Sequence, residues 1–307
     1  MASITQPTTS AIQAQPQTRA QTGTSNRRRF DGFRGFAYLL LTFMVIVYVL
    51  PLIWMLFKSV MSFGEANSPA FLPSEIHLEN YAYVLTDPNV NFLRALGSTL
   101  ILEILTVGGQ TVFSLMAAYG FSRIRWTLRE PLFYVCLSTI MLPFVAVMVP
   151  TYVLFKSLSW IGNLNILWGW APLIVPAFGG NPLYIFLLRQ FFLGIPIDLS
   201  EAAVIDGANE FQIFTRVILP LSRPALITVT LFTFVGSWTD FLAPRLFITQ
   251  KQQYTLSLGL LDYFSLHQTE WTYLMAACVI FVLPVMVLFF FAQRLFVEGI
   301  SLTGIKG

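Results

Sequence analysis

Asp198-Leu-Ser-Glu201-Ala202-Ala203-Val-Ile-Asp206-Gly207-Ala208-Asn-Glu-Phe211-Gln-Ile-Phe214-Thr-Arg-Val217-Ile218-Leu219-Pro220 is the stretch on which the reading turns. Asp198, with Glu201 three positions on, reads as a helix N-cap and its capping-box partner. A short helix follows and breaks near Gly207, where glycine lets the chain change direction at no steric cost. A second short helix carries Phe211, Phe214 and Val217 or Ile218 on one side, and Pro220 stops it. Such a helix-turn-helix is too apolar to lie free in water. It either packs on its own domain or docks a partner protein.

Outward from this segment the chain is a series of windows almost free of Asp, Glu, Lys and Arg. They lie at about 35–57, 95–118, 131–155, 166–188, 223–244 and 271–293. Each approaches the ~20 apolar residues that cross a bilayer as a helix. The whole chain of 307 residues is 56% hydrophobic and 11% charged, where soluble domains carry roughly 25% charged residues. That composition excludes a soluble globular enzyme, a disordered protein and a nucleic-acid binder, and a net charge of +3 is no footprint for nucleic acid. The expected fold is an all-α integral membrane protein with six transmembrane helices, the quoted segment joining helices 4 and 5.

Orientation follows from the basic residues. Arg27, Arg28, Arg29 and Arg34 precede the first window, and Arg123, Arg125 and Arg129 separate the second from the third. Arg189, Arg216 and Arg223 stand between the fourth and fifth, and Arg294 and Lys306 follow the sixth. The positive-inside rule puts both termini and the 198–220 segment in the cytoplasm. Residues 1–34 read as a disordered basic cytoplasmic tail, rich in Thr, Gln, Ser and Ala, and residues 35–307 as the membrane domain. The apolar run after Arg27-Arg28-Arg29 is too long for a signal peptide.

Within the second window Thr99, Glu103, Thr106, Gln110 and Ser114 recur at steps of four, three, four and four, which places them on one helical face. An ionisable group at membrane depth faces a bundle interior or a water-filled cavity. The stripe either lines a polar passage or serves as interhelical hydrogen-bond glue, helped by Gly97, Gly108 and Gly109. Thr230, Thr233, Ser237 and Asp240 repeat the pattern in the fifth window. Trp238 beside them either stacks on a sugar ring or sits at the membrane interface. Between the first two windows, Tyr81, Val84 and Leu85 fall at helical spacing and either cap the bundle or meet an external protein. Cys136 and Cys278 lie in apolar runs and read as small buried hydrophobes. With His77 and His267 they give no metal-ligand spacing. No phosphate loop or hydrolase motif occurs that could cleave ATP.

Glu201-Ala202-Ala203, Gly207 and Ile218-Leu219-Pro220 resemble the EAA loop of ABC-importer permeases. The fuller string, Glu-Ala-Ala-x-x-Asp-Gly-Ala with a later Leu-Pro-x-x-x-Pro224, resembles the carbohydrate-uptake, MalG-like branch of that family. Pro51-Leu-Ile-Trp54, Leu188-Arg189-Gln190-Phe191-Phe192, Trp238-Thr-Asp240-Phe241 and the ending Phe296 through Gly307 agree with it, although Thr239 departs from the usual Asn. The resemblance covers about residues 35 to 307. It implies a non-catalytic permease subunit of the cell inner membrane, paired with a second permease subunit in the lipid bilayer. Two ATPase subunits or domains, which hold ATP and Mg, dock beneath, and an extracytoplasmic solute-binding protein delivers a sugar or polyol-type solute. No cofactor is implied on this chain. By position, Glu201, Ala202, Ala203, Asp206, Gly207, Ala208, Phe211, Phe214, Leu219 and Pro220 would dock the ATPase. Thr99, Glu103, Thr106, Gln110, Thr233, Ser237, Trp238 and Asp240 are the candidate solute pathway. The alternative is a six-span secondary transporter or channel not powered by ATP, with Glu103 as its coupling-ion candidate.

Overall fold

The computed structural model describes residues 32–266 and 270–303. The basic tail with Arg27 to Arg29, His267 and the terminal Gly304 to Gly307 lie outside the described residues. All described elements are helical. Contacts divide the chain at Leu50/Pro51, and the packing described below belongs to the unit that begins at Pro51.

Four helical stretches are long and apolar enough to cross a membrane. α1 (Gly32–Ser59) runs through Pro51, and between Phe36 and Leu50 it exposes Phe36, Leu39, Phe43, Ile46 and Leu50, the apolar surface that lipid requires. After it comes α2 (Glu79–Thr86). α3 (Phe92–Ser122) is 31 residues long and is the hub of the bundle.

The third window is not one straight span. α4 (Arg129–Ser138) and its single-turn extension Thr139–Met141 meet α5 (Phe144–Ser157) at a bend of 100°. The cause is local: Pro143 has no amide hydrogen and forces Leu142 into extended backbone, with ψ at 112°. The fourth window is α6 (Ile166–Ile174), the tight turn Val175–Gly179 and α7 (Pro182–Gly194). Asn165 caps α6 by accepting from the amides of Leu167 and Trp168, and Asn181 caps α7 by accepting from that of Leu183.

α8 (Asp198–Ile205) and α9 (Glu210–Leu221) form the quoted hairpin. α9 bends by 80° into α10 (Arg223–Trp238). α10 has 16 residues, about 24 Å at 1.5 Å per residue, which is short of the ~30 Å hydrocarbon core. The fifth window breaks after Trp238 and ends in a separate helix, α11 (Leu242–Phe247), rather than running straight to residue 244. α12 (Leu256–Leu266) and α13 (Trp271–Thr303) complete the chain. The described fold thus has four span-length helices, or up to six if each bent pair is one span.

α3 packs on α6, α7, α10 and α12. Gly109 seats the Phe178 ring: a Cβ there would lie 2.9 Å from it, so only glycine allows this approach. Gly97 and Gly108 have open space at the same test and take no part in close packing. Where α3 ends, Arg189 of α7 makes a two-pronged bond to Glu130 at 2.8 and 2.9 Å, donates to the Phe121 carbonyl and lies 4.0 Å over the Phe133 ring. Arg123 donates to the carbonyls of Phe192 and Ile195. These are charge-assisted, part-buried bonds, which tie α3, α4 and α7 together.

On the far side, α2 caps the bundle. Val84 is fully buried, with Tyr81 and Leu85 packed around it. Lys58, 3% exposed at the end of α1, donates to the carbonyls of Ala66 and Ser68. In the adjoining segment His77 Nδ1 lies 2.6 Å from Glu79 Oε1. That bond holds the imidazole above its ordinary pKa and the carboxyl below its own.

Candidate functional site

Two features distinguish this bundle: a hairpin with an exposed tip and a mainly apolar cavity with polar groups set into its wall. α3 touches both.

The hairpin breaks at Gly207, which has φ +81°, a conformation that costs L side chains roughly 1–2 kcal/mol. Its first helix does not start as the sequence suggests. Asp198 is already helical, Ile197 holds the cap position, and no side-chain cap bond forms there. The capping box sits at the second helix instead. Asn209 accepts from the Gln212 amide and the Gln212 side chain accepts from the Asn209 amide, both at 2.9 Å. Asn-x-x-Gln is the signal that could have located it.

The expected partition of the second helix also changes. Phe211 is 73% exposed and does not share a face with Phe214. Ile213 and Ile218 are buried, and Phe214, Val217, Leu219, Ala203 and Ala208 pack beside them against α3 and α7. Residues Phe214 to Ile218 form a π-helical turn. Its i→i+5 bonding brings residues five apart toward one side, so Ile213 takes the inward place that a 3.6-residue period gives to Phe211. The same widened turn lets the helix run through Pro220, and the break falls at Ser222. Of the expected docking residues, Glu201, Ala202, Asp206, Gly207, Phe211 and Pro220 are exposed, whereas Ala203, Ala208, Phe214 and Leu219 face the chain's own core. Val204 and Ile205, which the sequence reading left out, are exposed, Ile205 by 85%.

Among the described residues one side-chain hydrogen bond crosses from hairpin to bundle. Tyr119 Oη donates to Glu210 Oε2 at 2.8 Å, and the Tyr119 ring lies 4.8 Å from that of Phe214. Tyr119 is on α3, 91 residues from its partner, and no local pattern announced it.

Sixteen residues before Tyr119 on that helix is Glu103. A cavity of about 270 Å³ is lined by Thr99, Glu103, Thr106, Ser237, Trp238 and Asp240, among others. A second, of about 340 Å³, is lined by Thr106, Gln110, Thr233, Ser237 and Asp240 with Asn181 and Tyr184. The two share Thr106, Leu173, Pro176, Ser237 and Asp240. Both stripes thus meet on one polar surface, and Ser237 Oγ donates to Glu103 Oε2 at 2.6 Å between them. Thr151, Thr255 and Ser257 add hydroxyls that periodicity did not single out.

Glue is present too, at other positions of the same stripe. Thr99 Oγ1 accepts from the Leu256 amide at 2.6 Å, and Ser114 Oγ from the Asn181 amide at 2.9 Å. Trp238 lines the first cavity with a ring that is itself held in the core. It is 1% exposed, stacked on Phe234, flanked by Phe281, and its indole N–H donates to the Phe281 carbonyl at 2.9 Å. Its ring is core, because a buried indole needs both packing and an acceptor.

A helical membrane bundle with polar groups set into a cavity wall and a protruding hairpin has the makings of a transporter subunit. The chain belongs to the family of binding-protein-dependent transport system inner membrane components, whose family model matches residues 110–302. It is 33% identical over 290 residues to the diacetylchitobiose uptake system permease NgcG of Streptomyces coelicolor, covering 92% of this chain and 91% of that one. It is 32% identical to the trehalose/maltose transport system permease MalG of Thermococcus litoralis, over 86% and 94% of the two chains. Among solved structures it resembles a bacterial ABC transporter involved in import of the acidic polysaccharide alginate, with a TM-score of 0.75 at 23% identity over 87% of this chain and 97% of that one. At that identity the likeness speaks for the fold. The chain is a multi-pass, non-catalytic permease subunit of such an importer, coupled to a separate ATPase.

Proposed function

We propose that this permease carries sugars or small oligosaccharides inward, together with a second permease subunit, two ATPase subunits or domains and an extracytoplasmic solute-binding protein. The names of the relatives supply the sugar class. The observation that carries the mechanism is that one rigid helix, α3, holds both ends of it: Tyr119 at the hairpin and Glu103 at the cavity.

The proposed topology has six spans, with the broken α4–α5 pair as the third and α10 continued by α11 as the fifth, both termini in the cytoplasm, and α8–α9 outside the bilayer on that side. The positive-inside pattern supports it. The exposed ridge of Val204, Ile205 and Phe211, rimmed by Glu201 and Asp206, inserts into the ATPase. ATP and Mg stay on that partner. Closure of the ATPase pair moves the ridge, the anchored underside carries the motion into α3, and the cavity changes the side on which it opens. A solute biases this cycle only by binding the two states with different affinity.

Proteoliposomes holding the full complex are expected to take up diacetylchitobiose or maltose only when ATP and the binding protein are present. Uptake that continues without the ATPase chains would overturn the reading. Tyr119→Phe removes the bond to Glu210, a loss of about 1 kcal/mol, and keeps the ring against Phe214. It is expected to leave ATPase association unchanged and to lower sugar uptake per ATP hydrolysed several-fold. An unchanged ratio would show that the apolar underside alone transmits the motion.

A further inference from the structure

The two cavities share a feature that bears on which sugars pass, and the inference from it rests on the sugar reading above. Among the described residues their walls carry two carboxyl groups, Glu103 and Asp240, and no Lys, Arg or His. Glu103 is 6% exposed and lines the cavity, yet only its Oε2 has a hydrogen-bond partner among the described residues. Oε1 is left over. Gln110, on the same face of α3 one cavity further along, has no side-chain partner among those residues either. The carboxyl of Asp240 accepts from the Ala243 amide at 3.2 Å. Buried polar groups are normally satisfied by protein, water or ligand. Here the unmatched atoms face space large enough for a solute's hydroxyl groups.

The chemistry of this wall is one-sided. Glu103 and Asp240 accept from hydroxyl or ammonium donors, and Gln110 and the Thr and Ser hydroxyls give or accept hydrogen bonds. On this wall a uronate or sugar phosphate would leave water without meeting a cation. An anion desolvated without a counter-charge is strongly disfavoured. The missing counter-charge sets one part of that cost, and the carboxylate charge of Glu103 and Asp240 adds repulsion to it. We infer that the α3–α10 wall of this permease is a selectivity surface that admits neutral or amino-substituted sugars and rejects anionic ones, Glu103 and Asp240 being its specificity-determining residues.

The test uses the complete transporter in proteoliposomes with its own binding protein and three probes of one length: maltotriose, chitosan trisaccharide with free amines, and trigalacturonate. Wild type is compared with Glu103→Gln and with Glu103→Gln/Asp240→Asn. The expected result is ATP-driven entry of the neutral or the cationic probe, with trigalacturonate at least tenfold slower. The double variant narrows that gap by removing the repulsive charge. Membrane abundance and sugar-stimulated ATP hydrolysis report whether the variants fold. Trigalacturonate entering wild type as fast as maltotriose would overturn the inference, and so would a gap that the double variant leaves unchanged, since discrimination would then lie elsewhere in the complex. If none of the three enters while ATP is hydrolysed, the sugar reading itself fails and takes this inference with it.

Discussion

Phe211→Asp is expected to release the ATPase from the transporter while the permease remains folded in the membrane. The Phe211 side chain is 73% exposed at the tip of a hairpin whose underside is already satisfied. Nothing in the chain's own core rests on it. A water-exposed aromatic on a rigid mount is the kind of residue that anchors an interface, and loss of such an anchor costs about 2–4 kcal/mol, or roughly 30-fold to a thousandfold in affinity. The carboxylate adds a desolvation cost in the same pocket. Co-purification of the ATPase should fall by at least that lower factor, with the thermal transition of the permease in detergent unchanged. Phe214→Ala is the internal contrast. Phe214 packs on Tyr119 and the buried Ile213–Ile218 pair, so its truncation should lower the transition temperature first. If Phe211→Asp copurifies with the ATPase as wild type does, the exposed ridge is not the docking surface.

The contrast between these two phenylalanines marks where the sequence was readable. Charge-free windows and steps of three and four depend on neighbours along the chain, and they located the span-length helices and both polar stripes. The break at Gly207 was legible for the same reason, since φ +81° is a local demand. The bend before Pro143 was also written locally, but a count of apolar residues passes over a proline that lipid-embedded helices tolerate. The π turn at Phe214 to Ile218 was not legible, because a 3.6-residue period is assumed in any helical projection. The same holds for Trp238, whose neighbours Phe234 and Phe281 include one 43 residues away. Tyr119–Glu210 and the Arg189–Glu130 pair join distant segments. Arg189 counts as a cytoplasmic charge in the orientation rule, and in the fold it is also a buried tie between helices.

Gly207→Val is expected to abolish coupled uptake, and Gly207→Asn to preserve most of it. An added Cβ at Gly207 meets nothing within 4 Å, so the space around it is not the constraint. The backbone is: φ lies at +81°, where a β-branched residue is strained and glycine is not. Asparagine visits that region several-fold more readily than other residues. Valine would push the turn toward negative φ. That would re-aim Val204 and Ile205 relative to Phe211, although the α9 underside stays anchored by Ile213, Ile218 and the Tyr119–Glu210 bond. The strain of roughly 1–3 kcal/mol is then relieved by misplacing the ridge instead of by unfolding the bundle. The expected signature is a loss of more than tenfold in ATP-driven uptake for Gly207→Val, with normal membrane insertion and a transition temperature near wild type. Gly207→Asn should lie within about threefold of wild type in uptake. Equal loss in both variants would mean that the side chain obstructs the partner's cleft and not that the turn is strained. Wild-type uptake in both would remove the hairpin from the coupling path altogether.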